Sequence, residues 1–232
     1  MSTYSLPAKA LVDPVTTVPR VIREHRWLLP MVLLVLASIA AGVAFAVRWD
    51  AGPDTIHNLQ KAGGLMGMTE QDIADKVQLA ERTALVGAVA SGLFVLPLLV
   101  LLLALFLKFA GWLFGTPGTF KALLTASSVG FLPVALKSAI TAIALLRQPA
   151  VSAKQAQELL ASNLGAFLDV PAKFSAAVAA VDFFTLWSVG LLGLGFSAAT
   201  GMRKGRALLL VTVLFALYVG VVHVGLAGMG GK

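Results

Sequence analysis

The stretch from Asp182 to Arg206, DFFTLWSVGLLGLGFSAATGMRKGR, decides the fold of this chain. It begins with a single acid, continues through apolar and small residues, and ends in a basic turn. A helix needs about 20 apolar residues to cross roughly 30 Å of hydrocarbon. Basic residues directly after such a run are typical of its cytoplasmic end. The stretch therefore predicts one complete transmembrane helix.

The composition of the whole chain indicates that lipid is its main solvent. Of the 232 residues, 58% are hydrophobic and 12% are charged, and the mean hydropathy is +0.89. A soluble globular domain has about twice this share of charged residues. The net charge of +7 does not indicate nucleic-acid binding, because lysine and arginine stand mainly at the ends of apolar runs. No cysteine is present, which excludes disulfides and thiolate sites.

Four further apolar runs predict an all-α, polytopic bundle of five transmembrane helices. A short lead, residues 1–26, precedes a membrane domain over residues 27–228, and an outer tail occupies 229–232. The two long polar loops carry apolar residues at helical spacing, which predicts extra interfacial amphipathic helices in both outer loops. Five spans place the two chain ends on opposite sides of the membrane. The predicted spans are 27–47, 84–107, 122–146, 174–199 and 207–228.

Basic residues beside the spans indicate the orientation of the chain. Three arginines precede the first span, and a basic turn separates the fourth span from the fifth. Cytoplasmic loops carry an excess of lysine and arginine close to the membrane. We therefore expect a cytoplasmic N-terminus and an extracytoplasmic C-terminus. The residues that carry this prediction are Arg20, Arg23, Arg26, Arg203, Lys204 and Arg206.

Two ionisable side chains of opposite sign fall inside the predicted spans, Lys137 in the third and Asp182 in the fourth. Each lies about six to nine residues from the same end of its span, or roughly 9 to 14 Å deep. Burial of an ionisable group in hydrocarbon is costly, and two opposite charges at one depth stabilise each other by pairing. The residues are open to three interpretations: a structural pair, a proton or ion relay, or two groups that never meet.

Small residues spaced four apart predict close contacts between helices, because they let two backbones approach in lipid. Two such pairs, offset by one residue, occur in the second span, and a third pair occurs in the fourth. The pairs are Gly87 with Ser91, Ala88 with Gly92, and Gly193 with Ser197.

The ionisable and nucleophilic residues form no motif typical of an enzyme. The chain has no G-x-S-x-G sequence, no H-E-x-x-H sequence and no phosphate-binding loop. We therefore expect a non-enzymatic protein without a catalytic residue, metal or cofactor.

Several short motifs occur in a characteristic order between the second span and the fifth. Gly118-Thr119-Phe120 opens the third span, and Asp182-x-Phe184-x-x-Trp187 opens the fourth. In order and spacing, the motifs resemble the bacterial branch of the Yip (Ypt-interacting protein) domain family of five-span integral membrane proteins. The motif positions are Gly118, Thr119, Phe120, Pro133, Asn163, Leu164, Gly165, Asp182, Phe184, Trp187, Leu192, Gly195, Gly205 and Ala207.

The resemblance implies a role in binding other membrane proteins. Eukaryotic members of the family bind small GTPases, but their Asp-Leu-Tyr-Gly-Pro signature is absent here, which argues against a GTPase partner. Some bacterial members resemble accessory subunits of ABC-type exporters, which act beside a permease and its membrane-fusion adaptor. We therefore expect an adaptor or accessory subunit in the bacterial cytoplasmic membrane, and the small-residue faces are also compatible with a homo-oligomer. The alternative is a small solute or ion transporter that uses Lys137 and Asp182.

Overall fold

The computed structural model describes residues 6–160 and 172–226. Within them the chain is helical without any strand, and a single β-bridge joins Trp49 to Val151. The predicted all-α fold is confirmed. The helices are α1 (Leu6–Val12), α2 (Pro14–Arg23), α3 (Leu28–Arg48), α4 (Ala51–Lys61), α5 (Glu70–Ala90), α6 (Leu96–Leu113), α7 (Phe120–Gly130), α8 (Leu132–Leu146), α9 (Ala153–Glu158), α10 (Ala172–Ala180), α11 (Phe183–Thr200) and α12 (Lys204–Tyr218).

Five helical stretches of the described chain are long and apolar enough to cross a membrane. Their number agrees with the five predicted spans. The second stretch is the longest, because the amphipathic helix of the first polar loop continues into the span without a break. The stretches are Leu28–Arg48, Glu70–Leu113, Phe120–Leu146, Phe183–Thr200 and Lys204–Val222.

The described chain forms two compact units. Unit 1 contains residues 1–34, 97–137 and 161–232, and unit 2 contains residues 35–96 and 138–160. Each of the first three spans contributes residues to both units, whereas the fourth and fifth belong to unit 1 alone. The two ionisable residues predicted inside the spans both belong to unit 1.

The helix α7 is the most deeply buried element of unit 1. Every residue from Ala122 to Gly130 is buried. Two of its hydroxyls donate to backbone oxygens one turn earlier, Thr125 Oγ1 to Lys121 O at 2.8 Å and Ser128 Oγ to Leu124 O at 2.9 Å. These internal hydrogen bonds satisfy two of the three buried hydroxyls of α7, whereas Ser127 Oγ is buried without a hydrogen-bond partner.

The N-terminal lead is part of unit 1. Pro14 occupies the first turn of α2, where its missing N–H leaves no hydrogen bond unmade. The apolar face of α2 packs against α7 and α11 in one continuous core. The lead therefore contributes a helix to the core of unit 1, which composition and span length did not predict. This core contains Ala10, Val18, Val21, Ile22, Ala122, Ala126, Val129, Leu132 and Leu191.

In unit 2, the helices α3 and α5 approach each other through glycine. A Cβ added at Gly42 would lie 2.8 Å from Ala88 Cβ, and one added at Gly92 would lie 2.4 Å from Ile39 Cγ1. Gly92 lies in a π-helical turn, Ser91–Val95, which follows α5 and ends two residues before Pro97. Proline lacks an N–H and excludes an ordinary helical hydrogen bond, and the wider turn accommodates this loss.

Candidate functional site

The fourth predicted span, 174–199, is interrupted in the structure by a break immediately before the helix α11. The helix α10 ends at Ala180, and α11 begins at Phe183. Asp182 lies between them with an extended backbone and caps α11, since its Oδ1 accepts a hydrogen bond from Thr185 N at 2.8 Å. A carboxylate that bonds to nearby backbone N–H groups favours a helix beginning over a helix interior. The membrane-length helix therefore starts later than hydropathy alone predicted.

The same carboxylate contacts Lys137. Lys137 Nζ donates to Asp182 Oδ2 at 2.5 Å, and the Asp182 side chain is only 5% exposed, against 33% for Lys137. Both oxygens of Asp182 thus have a donor, one from the beginning of α11 and one from α8. A buried carboxylate is stable only with such partners. The arrangement fixes the register of α8 against the start of α11.

A cavity of about 800 Å³ lies next to this ion pair in unit 1. Val134, one turn before Lys137, and Thr185, one turn after Asp182, both line it. Its wall is apolar apart from a few hydroxyls, and Ser188 Oγ is buried there without a hydrogen-bond partner. Such a cavity suits hydrocarbon better than a charged solute. The other lining residues are Leu99, Leu102, Leu103, Phe106, Leu107, Gly130, Phe131, Ala180, Val189, Leu192, Val211, Leu214, Phe215, Leu217, Tyr218, Val221 and Val222.

Aromatic rings surround the start of α11. Phe183 contacts Phe184 edge to face at 5.4 Å between ring centroids, and it contacts Trp187 at 5.5 Å. Trp187 also packs against the core that holds α2. Aromatic pairs of this kind add roughly 0.5 to 1.5 kcal/mol beyond the area they bury. The cluster therefore stabilises the helix start that Asp182 caps.

Two glycines of the motif positions, Gly118 and Gly195, lie where neighbouring elements approach closely. A Cβ at Gly118 would lie 2.9 Å from the carbonyl oxygen of Ala199, and one at Gly195 would lie 2.9 Å from Ala126 Cβ. Thr119 caps α7, since its Oγ1 accepts from Ala122 N at 3.3 Å. These positions therefore hold α7 against α11.

A family model, the Yip1 domain, matches residues 8–225. This chain belongs to the Yip1 domain family. The match begins inside α1, so the Yip1 domain includes the N-terminal lead that packs on α7 and α11. No curated protein and no solved structure shows a significant match.

The remaining motif positions of this Yip1 domain are only partly described. Pro133 is the second residue of α8, and α7 ends at Gly130, three residues before this proline. Phe120 is the first residue of α7. Asn163 and Gly165 lie outside the described residues.

Of the residues predicted to pack helices together, some lie at helix contacts in this Yip1 domain and others do not. Gly92 is buried against α3, and a Cβ at Gly193 would lie 3.0 Å from Leu208 Cα in α12. Ser197 Oγ instead donates to Met202 O at 2.7 Å, which closes the end of α11 beside Gly201 in its left-handed conformation. Gly87 and Ser91 are both exposed.

Of the basic residues predicted to set the orientation, some form ion pairs and others are exposed. Glu24 pairs with Arg20 at 3.0 Å and with Arg26. The hydrogen bond from Arg20 is the main reason that the pKa of Glu24 lies below its usual value, with Arg26 adding to it and partial desolvation opposing it. Arg23 ends α2, and Arg203, Lys204 and Arg206 are exposed at the start of α12.

One residue that the sequence reasoning missed is Asp54 in unit 2. Its Oδ2 accepts from Trp49 Nε1 at 2.7 Å and from Ala153 N at 2.9 Å, which joins the first polar loop to the start of α9. The Trp49 hydrogen bond is the main reason that the pKa of Asp54 is lowered. The carboxylate therefore stabilises this junction above the ordinary pKa of aspartate, and its contribution is lost as the pH falls through the lowered pKa. No local pattern around Asp54 indicated this role.

Proposed function

We propose that this Yip1-domain protein is a non-enzymatic membrane adaptor or accessory subunit that binds other membrane proteins. The observation that carries the proposal is an open small-residue face that runs from the end of α5 into the π-helical turn Ser91–Val95. On one side of this continuous helical stretch, Ala88 and Gly92 pack against α3 within unit 2. Gly87 and Ser91, one residue earlier in each case, are exposed, and a Cβ added at Gly87 would meet nothing within 4 Å.

The physical reason is the nature of association in lipid. Hydrocarbon tails are as apolar as leucine, so the hydrophobic effect does not drive two helices together there. Close backbone packing across small residues supplies the attraction instead. The side formed by Ala88 and Gly92 uses this mode inside the chain, and the side formed by Gly87 and Ser91 offers the same kind of surface to a partner helix.

The partner that we propose is a transport complex in a bacterial cytoplasmic membrane. Support for this partner comes from the resemblance alone, since some bacterial members of the family resemble accessory subunits that act beside an ABC-type permease and its membrane-fusion adaptor. In this arrangement the N-terminus is cytoplasmic and the C-terminus extracytoplasmic, as the basic residues near the spans predict.

The alternative, a small solute or ion transporter, depends on Lys137 and Asp182. Their contact at a helix break within the spans favours it, because intramembrane charges often mark ion pathways. Against it, Asp182 already receives donors on both oxygens. The neighbouring cavity is also lined almost wholly by apolar side chains. The adaptor proposal accounts for the pair as a structural element.

The proposal predicts that bulk at the open face abolishes partner binding. We expect the double variant Gly87→Leu and Ser91→Leu to insert and fold normally, since both positions are exposed, but to lose its stoichiometric partner in a detergent pull-down. The matched control is Val86→Phe, which adds bulk at a 67% exposed position on a different side of α5. Retention of the partner by the double variant would contradict the proposal. So would a clean monomer that moves a solute into liposomes.

A further inference from the structure

A second, smaller cavity of about 330 Å³ lies in unit 1 between the start of α2 and the hairpin of α11 and α12. Apolar side chains and two glycines form most of its wall, and a single lysine lies at one end. We call this cavity the hairpin groove. It is lined by Pro14, Trp187, Gly190, Leu191, Leu194, Lys204, Gly205 and Leu208.

The hairpin groove extends along the helix α11 into the span. Leu194 and Trp187 are seven residues apart, which corresponds to about 10 Å along a helix. A Cβ added at Gly190 or at Gly205 would meet nothing within 4 Å, so the two glycines leave the groove open. A slender apolar group fits this space, and hydrocarbon chains are the groups that surround a membrane-spanning hairpin.

The charge at the mouth of the groove is positive. Lys204 lines it, and Arg203 and Arg206 lie within two residues. All three are exposed, and within residues 6–160 and 172–226 no carboxylate forms an ion pair with any of them. The arginines that precede the first span differ, because Glu24 pairs with Arg20 and Arg26. The mouth thus presents three uncompensated cations next to an apolar slot.

We propose that the hairpin groove binds an anionic phospholipid, with one acyl chain beside Trp187 and Gly190 and with the phosphate at Lys204 and its two neighbouring arginines. A phospholipid with a net negative headgroup matches both parts of the site, because juxtamembrane cations attract anionic lipids and the apolar slot accepts the chain. A zwitterionic phospholipid fills the slot equally well but gains less from the cations. In this site, Trp187 contacts the acyl chain of the bound lipid.

Native mass spectrometry of the full chain, released from micelles with equal amounts of phosphatidylglycerol and phosphatidylcholine, tests this proposal. We expect one retained phosphatidylglycerol in preference to phosphatidylcholine. Lys204→Gln is expected to weaken phosphatidylglycerol retention about fivefold, the effect of one basic residue near an anionic headgroup. Gly190→Leu is expected to reduce the retention of both lipids, because the new side chain occupies the slot from a position where its Cβ meets nothing within 4 Å.

Two matched variants separate this site from general attraction of lipid to the protein surface. Gly220→Leu adds the same side chain at another open glycine outside the groove, and Lys108→Gln removes an exposed lysine outside the groove. Both are expected to retain phosphatidylglycerol as the unaltered chain does, with unchanged thermal unfolding for all four variants. Equal retention of the two lipids by the unaltered chain would overturn the proposal. Equal loss in Lys204→Gln and Lys108→Gln would also overturn it.

Discussion

Replacing Lys137 with alanine is expected to destabilise the folded protein by about 3 kcal/mol, because the Asp182 carboxylate would stay buried without its cation. Asp182→Ala is expected to have a larger effect. It removes the same ion pair and also the cap of α11, which contributes about 1 kcal/mol by itself. Thermal unfolding in detergent and the amount of protein inserted in the membrane measure both effects.

Exchange of the two charges isolates the ion pair from the cap. The double variant Lys137→Asp with Asp182→Lys is expected to recover most of the lost expression, but not all of it. A lysine at position 182 restores the attraction, yet it cannot accept the hydrogen bond from Thr185 N. Lys108→Ala, at an exposed lysine, serves as the control and is expected to change little. A charge-swapped protein no more abundant than the single variants would show that the two residues do not pair.

The second large effect is expected at Gly195, where the helices α7 and α11 meet. In Gly195→Val, the new Cβ lies 2.9 Å from Ala126 Cβ, so one of the two helices must move. Overpacking of this kind typically costs about 1 to 3 kcal/mol. We expect a clear decrease in the melting temperature of the detergent-solubilised protein, and partial recovery when Ala126→Gly is added.

Gly190→Val is the matched control for this prediction. It makes the same chemical change in the same helix, so the cost of a β-branched residue in a helix is equal in both variants. A Cβ at Gly190 meets nothing within 4 Å. In detergent without added phospholipid, where the hairpin groove holds no lipid, the difference between the two melting temperatures therefore measures the α7 and α11 contact. Equal melting temperatures would show that Gly195 does not lie at a close helix contact.

Much of the fold could be predicted from hydropathy. The number of long apolar helices agrees with the number of predicted spans, because burial in lipid requires a run of apolar residues that is visible in the sequence. The break at Asp182 was harder to predict. The mainly apolar residues 174–180 continue the hydropathy of the span, and the break after them is marked by Asp182, which accepts the hydrogen bond from Thr185 N that caps α11.

The N-terminal lead shows a second limit of sequence reasoning. Residues 1–26 were predicted only as a short lead before the first span, and their prolines at 7, 14 and 19 count against a long helix. Pro14 is nevertheless compatible with α2, because it occupies the first turn, and Pro19 lies within α2 itself. The apolar residues Val18, Val21 and Ile22 recur at helical spacing and are buried in the structure together with Thr17. This pattern was a signal that could have identified α2 as a packed helix.

The candidate site was predictable only in part. Equal depth in two spans brought Lys137 and Asp182 together as a hypothesis, because opposite charges in hydrocarbon are most stable as a pair. The two cavities were not predictable, since their walls come from helices far apart in the chain. The role of Asp54 was also not predictable, because the packing of two polar loops brings Ala153 close to Asp54 and its other partner, Trp49.

The central claim is a chain that crosses the membrane five times, with its ends in different compartments. The absence of cysteine allows single cysteines to be introduced and labelled without background. An impermeant maleimide applied to intact cells is expected to label Gln60→Cys and Gly230→Cys, and to label Ser2→Cys and Pro117→Cys only after the membrane is permeabilised. Labelling of Ser2→Cys and Gly230→Cys from the same side would contradict five crossings.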